Sequence, residues 1–309
     1  MSEPAQEHLN SGVAYMKAGR QDEAEAEYRA ELLLRPDYAL AHYNLGSLLL
    51  QQEKTEEAIA ELREAIRLKP ELRVIYSSLG HALKRLGRTD EAIVAYRAEL
   101  QFEPRCASAY SNMGLAYQEK GDLSGAIAHY RKGLEFDPGY AIGHTNLGIA
   151  LLLQADVDAA IAEQQEAIRL DPALAKAHFN LGNALSHKEG CEPALKAFQE
   201  AVRLAPQMAV AHSRFADLLA VAGRYDEAIA EYRQALHLDP ENVQTWINLG
   251  TNLYIRALTE KSRHAAEAAK EAFEQAHRLD PHNKDAAGFL HDVNKTLRPR
   301  FPSVWPRRK

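Results

Sequence analysis

Cysteine is almost missing from this chain: Cys106 and Cys191 are the only two in 309 residues, and they form no CxxC arrangement. That excludes a disulfide scaffold and a cysteine-based zinc framework. Long apolar runs are missing too, with nothing near the roughly 18 residues that a membrane-spanning helix requires. The opening residues Met1-Ser2-Glu3-Pro4-Ala5-Gln6-Glu7 have neither a basic n-region nor an apolar core, so no signal peptide is expected. Nor is there an excess of positive charge. With 37 Lys and Arg against 43 Asp and Glu the net charge is −6, which argues against a general nucleic-acid binder. P-loop, GxSxG and HExxH signatures are all absent. These absences lead to the expectation of a soluble, cytoplasmic, non-enzymatic chain that needs no cofactor and no metal.

What the chain does have is a period. Pro36, Pro70, Pro104, Pro138, Pro172, Pro206 and Pro240 are each 34 residues apart, and Pro281 follows after 41. The hexapeptide Ala177-His178-Phe179-Asn180-Leu181-Gly182 has relatives at Ala41–Gly46, Ala109–Gly114, Gly143–Gly148 and Thr245–Gly250. A fixed period of this length marks a repeat architecture. Setting each proline at position 32 defines eight repeats, 5–38, 39–72, 73–106, 107–140, 141–174, 175–208, 209–242 and 243–283.

Within a repeat, positions 4, 7, 8 and 11 (His178, Leu181, Gly182 and Leu185 in the sixth) carry the i, i+3, i+4, i+7 stripe of one helix. Positions 20, 24, 27 and 30 (Ala194, Phe198, Ala201, Leu204) carry a second stripe. A breaker such as Gly19, Gly87, Gly121 or Gly223 separates them, and the proline ends helix B by steering its predecessor out of the α region. Glycine recurs at position 8 although each one costs about 1 kcal/mol of helix propensity. Together with the Ala at position 20 of all eight repeats, it predicts close approach of neighbouring helices. One helix pair cannot bury its stripe alone, so stacked repeats must form a continuous core.

The motif W-x2-L-G-x2-Y…A-x3-F…P at period 34, with Trp246-Ile247-Asn248-Leu249-Gly250 and Tyr96, Tyr130, Phe198, Tyr232 and Phe273 at position 24, resembles the tetratricopeptide repeat. The resemblance covers residues 5–283 and implies an all-α, right-handed superhelix (an α-solenoid) with helix A on the concave side. The eighth repeat departs from the pattern by seven extra residues, which lengthened helices turning near Thr259-Glu260-Lys261-Ser262 would absorb. Residues 284–297 form one more amphipathic helix, with Ala286, Phe289, Leu290, Val293 and Leu297 as its stripe, suited to cap the open end. The tail 298–309 holds three prolines and five basic residues. It reads either as a solvated terminus or as a segment that docks on an acidic partner, a membrane surface or the protein's own groove.

Position 6 of helix A is Asn in six repeats: Asn10, Asn44, Asn112, Asn146, Asn180 and Asn248, with Ser78 and Arg214 interrupting. Asparagine is a mediocre helix former, whereas its amide matches the N–H and C=O of an extended peptide. The row is similar to the asparagine ladder of the O-linked N-acetylglucosamine transferase superhelix, and that resemblance implies a clamp on substrate main chains. The competing reading is that each Asn bonds the next repeat's helix. Leu115, Ile142, Ile149, Leu152 and Leu153 add an apolar patch. Ser77, His81, Lys84 and Arg85 add a basic one, and Asp217, Gln244, Ile247, Thr251, Tyr254 and Ile255 extend the lining. The Lys and Arg fork of the chaperone-tail clamp, another property within the family, finds Leu9, Val13, Val74 and Ser78, or Thr145, Ile149 and Val210, at its positions instead. His8, His42, His144, His178 and His212 all fall at position 4, one repeat apart. That spacing suits packing rather than a metal.

The function expected is that of a scaffold or adaptor holding an extended partner peptide. Its contacts would be Asn44, Asn112, Asn146, Asn180, Asn248 and Arg214, with Leu115, Ile142, Ile149, Leu152 and Leu153 as the anchor patch. Two alternatives are self-assembly through the C-terminal tail and recruitment of substrates to a separate glycosyltransferase.

Overall fold

A computed structural model describes residues 4–188 and 190–297; the tail 298–309, with its proposed docking and self-association roles, lies outside the described residues. Among the described residues the chain forms seventeen α-helices and no strand, an all-α repeat fold. It divides into two compact units, Met1–Gln154 and Ala155–Lys309.

The first unit contains α1 (Pro4–Lys17), α2 (Gln21–Leu34), α3 (Ala39–Gln51), α4 (Thr55–Leu68), α5 (Val74–Arg85), α6 (Thr89–Phe102), α7 (Ala107–Glu119), α8 (Leu123–Phe136) and α9 (Ala141–Leu153). The second contains α10 (Val157–Leu170), α11 (Ala175–Leu185), α12 (Glu192–Leu204), α13 (Ala209–Val221), α14 (Tyr225–Leu238), α15 (Val243–Thr259), α16 (Arg263–Leu279) and α17 (Lys284–Leu297). Odd-numbered helices are A helices. In both units each helix packs on its sequence neighbour, and alternate A helices touch, α3 on α5, α5 on α7, α7 on α9, α13 on α15 and α15 on α17.

The local chemistry explains where helices stop. Every B helix from α2 to α16 ends two residues before its proline. The residue between leaves the helix for an extended conformation, φ −137° and ψ 82° at Arg35 and φ −135° and ψ 91° at Asp280, as the proline ring demands of its predecessor. The A-to-B turn needs a left-handed residue, supplied by Gly at 19, 87, 121 and 223; Glu53 and Lys261 adopt it at φ 64° and 50° without glycine's freedom. The B helices then start on acidic first turns in α2, α4, α6 and α14, which favour the positive end of the helix dipole. Side-chain caps hold others: Asp122 accepts from the Gly125 N–H at 2.8 Å and Ser262 from Ala265 at 3.3 Å.

Each helix pair closes on a small residue. The position-20 alanines, Ala24, Ala58, Ala92, Ala126, Ala160, Ala194, Ala228 and Ala269, are all fully buried. Gly12, Gly80, Gly114, Gly182 and Gly250 at position 8 face an aromatic ring of the partner helix, and Gly46 faces Leu62. A Cβ on Gly250 would sit 2.6 Å from Phe273 Cε1 and one on Gly182 2.8 Å from Phe198 Cδ1, with Gly80 against Tyr96 and Gly114 against Tyr130 tighter still. The rings occupy the space that a methyl group would need, and Tyr96, Tyr130, Phe198 and Phe273 are among the largest fully buried side chains.

The extra length of the eighth repeat is taken up evenly. Helices α15 and α16 each run 17 residues, against 13 and 14 for α13 and α14, and turn through Lys261. Helix α17 covers this pair. Ala286 and Val293 are fully buried, Phe289 stacks on Phe273 at 5.3 Å, and the Tyr254 hydroxyl meets Thr296 Oγ1 at 2.8 Å. Its outer face shows Lys284, Asp285, His291 and Asp292 to water.

Gly250→Ala is expected to lower stability by about 1–3 kcal/mol through overpacking against Phe273, despite the propensity alanine gains. Gly288→Ala, where an added Cβ meets nothing within 4 Å, is expected to raise stability by up to about 1 kcal/mol. Thermal melts of the two variants beside wild type check the pair; equal shifts of the same sign would contradict the close-approach account.

Candidate functional site

Position 6 of α7, α9 and α15 faces the preceding A helix, and this decides what those asparagines do. In the first unit Asn112 Oδ1 lies 3.3 Å from His81 Nε2 on α5, and Asn146, which is buried, donates through Nδ2 to Ser111 Oγ on α7 at 3.0 Å. Asn44 stands half-buried on α3, and Ser78 turns back to its own helix, donating to the Val74 carbonyl at 3.3 Å. In the second unit Asn248 donates through Nδ2 to Asp217 Oδ1 on α13 at 2.8 Å and accepts from Gln244 Nε2 at 2.8 Å. Asn180 is buried, and its amide nitrogen has no hydrogen-bond partner among the described residues. Arg214 is exposed, with Nη1 3.5 Å from Asp217 Oδ2. Three of the asparagines are thus inter-repeat fasteners, bonded to the preceding repeat rather than the next one. A primary amide has two N–H donors and two acceptor lone pairs, so each still has hydrogen-bonding capacity beyond these contacts.

The apolar patch lies entirely in the first unit. Ile142 is 50% exposed and Leu153 59% exposed; Ile149 and Leu152 on α9, and Leu115 on α7, are half-buried. Residues 142, 146, 149 and 153 share one face of α9 by their 4-3-4 spacing. The basic group from repeat 3 is already engaged: Lys84 pairs with Glu119 at 2.8 Å, Arg85 donates to the Leu50 carbonyl at 2.6 Å, and Ser77 Oγ donates to the buried Glu99 at 2.5 Å. One assignment is corrected. Ile247 does not line the surface but is 3% exposed in a small core with Ala276 and Ala286, because α17 closes over that side of α15.

In the second unit Arg214 and Asn248 belong to a cavity of about 200 Å³ between α13, α14 and α15. Asp217 and Gln244 also line it, as do Ser213, Asp239, Asn242 and Thr245. The last four were not among the lining residues expected from the sequence: Ser213 and Thr245 sit on α13 and α15, and Asp239 and Asn242 come from the link between repeats. Asp217 is the hub. Its Oδ1 accepts from Asn248 and, at 2.8 Å, from the Tyr232 hydroxyl. Burial, then Asp217's charge, pushes the Tyr232 phenol well above the usual tyrosine range, so the hydroxyl keeps its proton and donates.

The position-4 rings prove to be joints. Nε2 of His42, His144, His178 and His212 lies 2.9, 3.0, 3.0 and 3.1 Å from the carbonyl oxygen of the preceding repeat's proline, and Trp246 Nε1 donates to Pro240 at 2.9 Å. His8, His42 and His212 also place Nδ1 2.5, 2.6 and 2.6 Å from Glu27, Glu61 and Glu231 on the paired B helix. Among the described residues no three His, Cys, Asp or Glu side chains gather as a metal would need, both cysteines are free, and no helix is long and apolar enough to cross a membrane.

Family models place this geometry. Models described as "Tetratricopeptide repeat" match residues 9–72 and 107–140, and one described as "TPR repeat" matches 80–121, 153–188 and 216–254, together more than half of the chain. No curated protein matches the chain. Among solved structures it is similar to a chain of the APC/C hetero-tetramer Cut9-Hcn1, at 16% identity and TM-score 0.65, covering 93% of this chain and 55% of that one. It is also similar to Pseudomonas aeruginosa pilF, at 24% identity and TM-score 0.62, covering 71% and 97%. A third likeness, at 20% identity and TM-score 0.51, is to the MamA RS-1 ArsTM double mutant, covering 56% and 97%. The chain thus spans about half the length of the Cut9-Hcn1 chain, and at these identities the likeness is one of fold.

The hydrogen bond to Glu27 is the main cause that raises His8 above the ordinary histidine value. A pKa raised on folding gives stability that is complete below the unfolded value, about 6.5, and is lost as pH rises through the folded one. NMR titration of the His8 ring is expected to show the raised value, and Glu27→Gln to return it toward 6.5; an unchanged His8 in that variant would remove the carboxylate as the cause.

Proposed function

The chain belongs to the tetratricopeptide repeat family, and from that premise we propose that it is a non-catalytic protein-binding scaffold whose A-helix surface holds an extended segment of a partner. The observation that carries this reading is the face of α9. There Ile142 and Leu153, each at least half exposed, flank an asparagine amide that the fold has already fixed in place. Apolar anchors beside oriented hydrogen-bonding groups are what an extended peptide uses, side chains for affinity and main chain for register.

The asparagines act in two ways in this reading. Asn112, Asn146 and Asn248 lock adjacent A helices with one amide group and offer the remaining N–H or carbonyl to a ligand. Because the rotamer is held before binding, little side-chain entropy is lost when the ligand arrives. Leu115, Ile149 and Leu152 supply the half-buried walls in the first unit, and Arg214 and Asn248 a polar site in the second, with Asn44 as a further rung; Asn180 is buried and takes no part.

The test uses substitutions that leave the helix fasteners alone. Peptides selected by the wild-type chain from a random displayed library are remeasured on Ile142→Asp and Leu153→Asp, with circular dichroism confirming fold. The expected outcome is binding weaker by about tenfold or more for either variant, as for an anchor residue. Selection of no peptide, or equal binding by wild type and both variants, would send attention away from this surface.

A further inference from the structure

The cavity between α13, α14 and α15 has more acceptors than the protein itself satisfies. Two carboxylates line it, Asp217 and Asp239, against one cation, Arg214. Asp217 Oδ1 is filled by Tyr232 and Asn248, but among the described residues Oδ2 meets only the Arg214 guanidinium at 3.5 Å, beyond a good hydrogen bond. Asp239 Oδ2 accepts one long bond from Asn242 at 3.4 Å. Arg214 itself has a side chain 60% exposed, held by no second carboxylate, and can move aside. The floor is small and apolar, Ala209 and Ala235, and hydroxyls of Ser213 and Thr245 stand at 3.2 Å from each other in the wall.

We propose that this cavity is a subsite for a basic side chain, the ammonium of a lysine or the guanidinium of an arginine, within the bound segment. It rests on the peptide-binding reading and adds the chemical class that the second unit selects. A volume of about 200 Å³ admits a charged head group with the end of its alkyl stem. The head group has several N–H donors, and Asp217 Oδ2 and both oxygens of Asp239 are the acceptors that match them. The methylenes would lie against Ala209, Val210 and Ala235, which line the same cavity. The Tyr232 hydroxyl and the Asn248 amide fix the Asp217 carboxylate in advance. An acidic or C-terminal carboxylate group is disfavoured there, since it would enter beside two like charges. The basic group is one of the partner segment's residues, drawn by the two carboxylates; residues 298–309 of this chain, with Arg298, Arg300, Arg307, Arg308 and Lys309, are the alternative source that the experiment separates.

The experiment titrates the full-length chain with N-acetyl-arginine amide, N-acetyl-lysine amide and, as the uncharged control, N-acetyl-norleucine amide. Side-chain amide signals of Asn242, Gln244 and Asn248 are followed by NMR. The expected result is saturable shifts with one or both basic probes and none with norleucine, weakened about tenfold by Asp217→Asn and reduced by Asp239→Asn, a variant that leaves the Tyr232 and Asn248 bonds to Asp217 in place. Shifts of equal size with norleucine, or basic probes that bind both variants as they bind wild type, would overturn the proposal. A full-length chain with the five tail basic residues changed to Gln separates the sources. Tighter probe binding by that chain marks the tail as the occupant, and unchanged binding marks a partner's residue, each supporting the subsite. Loss of the subsite leaves peptide capture on α9 untouched, so the two readings fail separately.

Discussion

The structure depends on one contact made over and over: an aromatic or leucine side chain of a B helix lying where a Cβ of the A helix would be. Gly12 faces Tyr28, Gly46 faces Leu62, Gly182 faces Phe198 and Gly250 faces Phe273. A helix interior gives up about 1 kcal/mol for each such glycine, and the ring it admits buries an area whose transfer from water is worth more than that. The alanine at position 20 lets the second helix come equally near from its side. Once the two axes are this close, the crossing of the pair is fixed, and the next pair can only stack on the faces left over.

Stacking is secured by groups that are already desolvated or held in place. The position-4 rings of α3, α9, α11, α13 and α15 tie their helix to the proline carbonyl of the preceding link. Amides at position 6 tie one A helix to the one before. Exposed ion pairs between successive repeats, such as Arg29 with Glu57 and Arg63 with Glu91 in the first unit or Arg256 with Asp226 in the second, add little in water.

The helices and their faces were legible in the sequence because they follow from local chemistry repeated at a fixed period. Pro36 and its seven counterparts end helices through sterics on the residue before, and Gly182 with Phe198 announces a close pair through size alone. The asparagine row was legible as a row but not in its bonding. Whether Asn146 turns toward a ligand or toward Ser111 depends on a neighbour 35 positions away in the chain, and the amide of Asn112 finds a histidine where Asn248 finds an aspartate. The burial of Ile247 escaped because it depends on how α17 docks, not on the α15 pattern. Asp239 and Asn242 escaped because they lie on a link between helices, outside any helical periodicity, and enter the cavity only when α13, α14 and α15 assemble.

The lengthened pair α15 and α16 changes the outline of the second unit. Helix α15 runs four residues beyond where α13 stops in its own repeat, and at 1.5 Å per residue its tip stands roughly 6 Å further out. The edge formed by the A-to-B turns is therefore not level: it ends in a ledge. The seven added residues thus give the last repeat of the second unit a raised lip that α11 and α13 do not have.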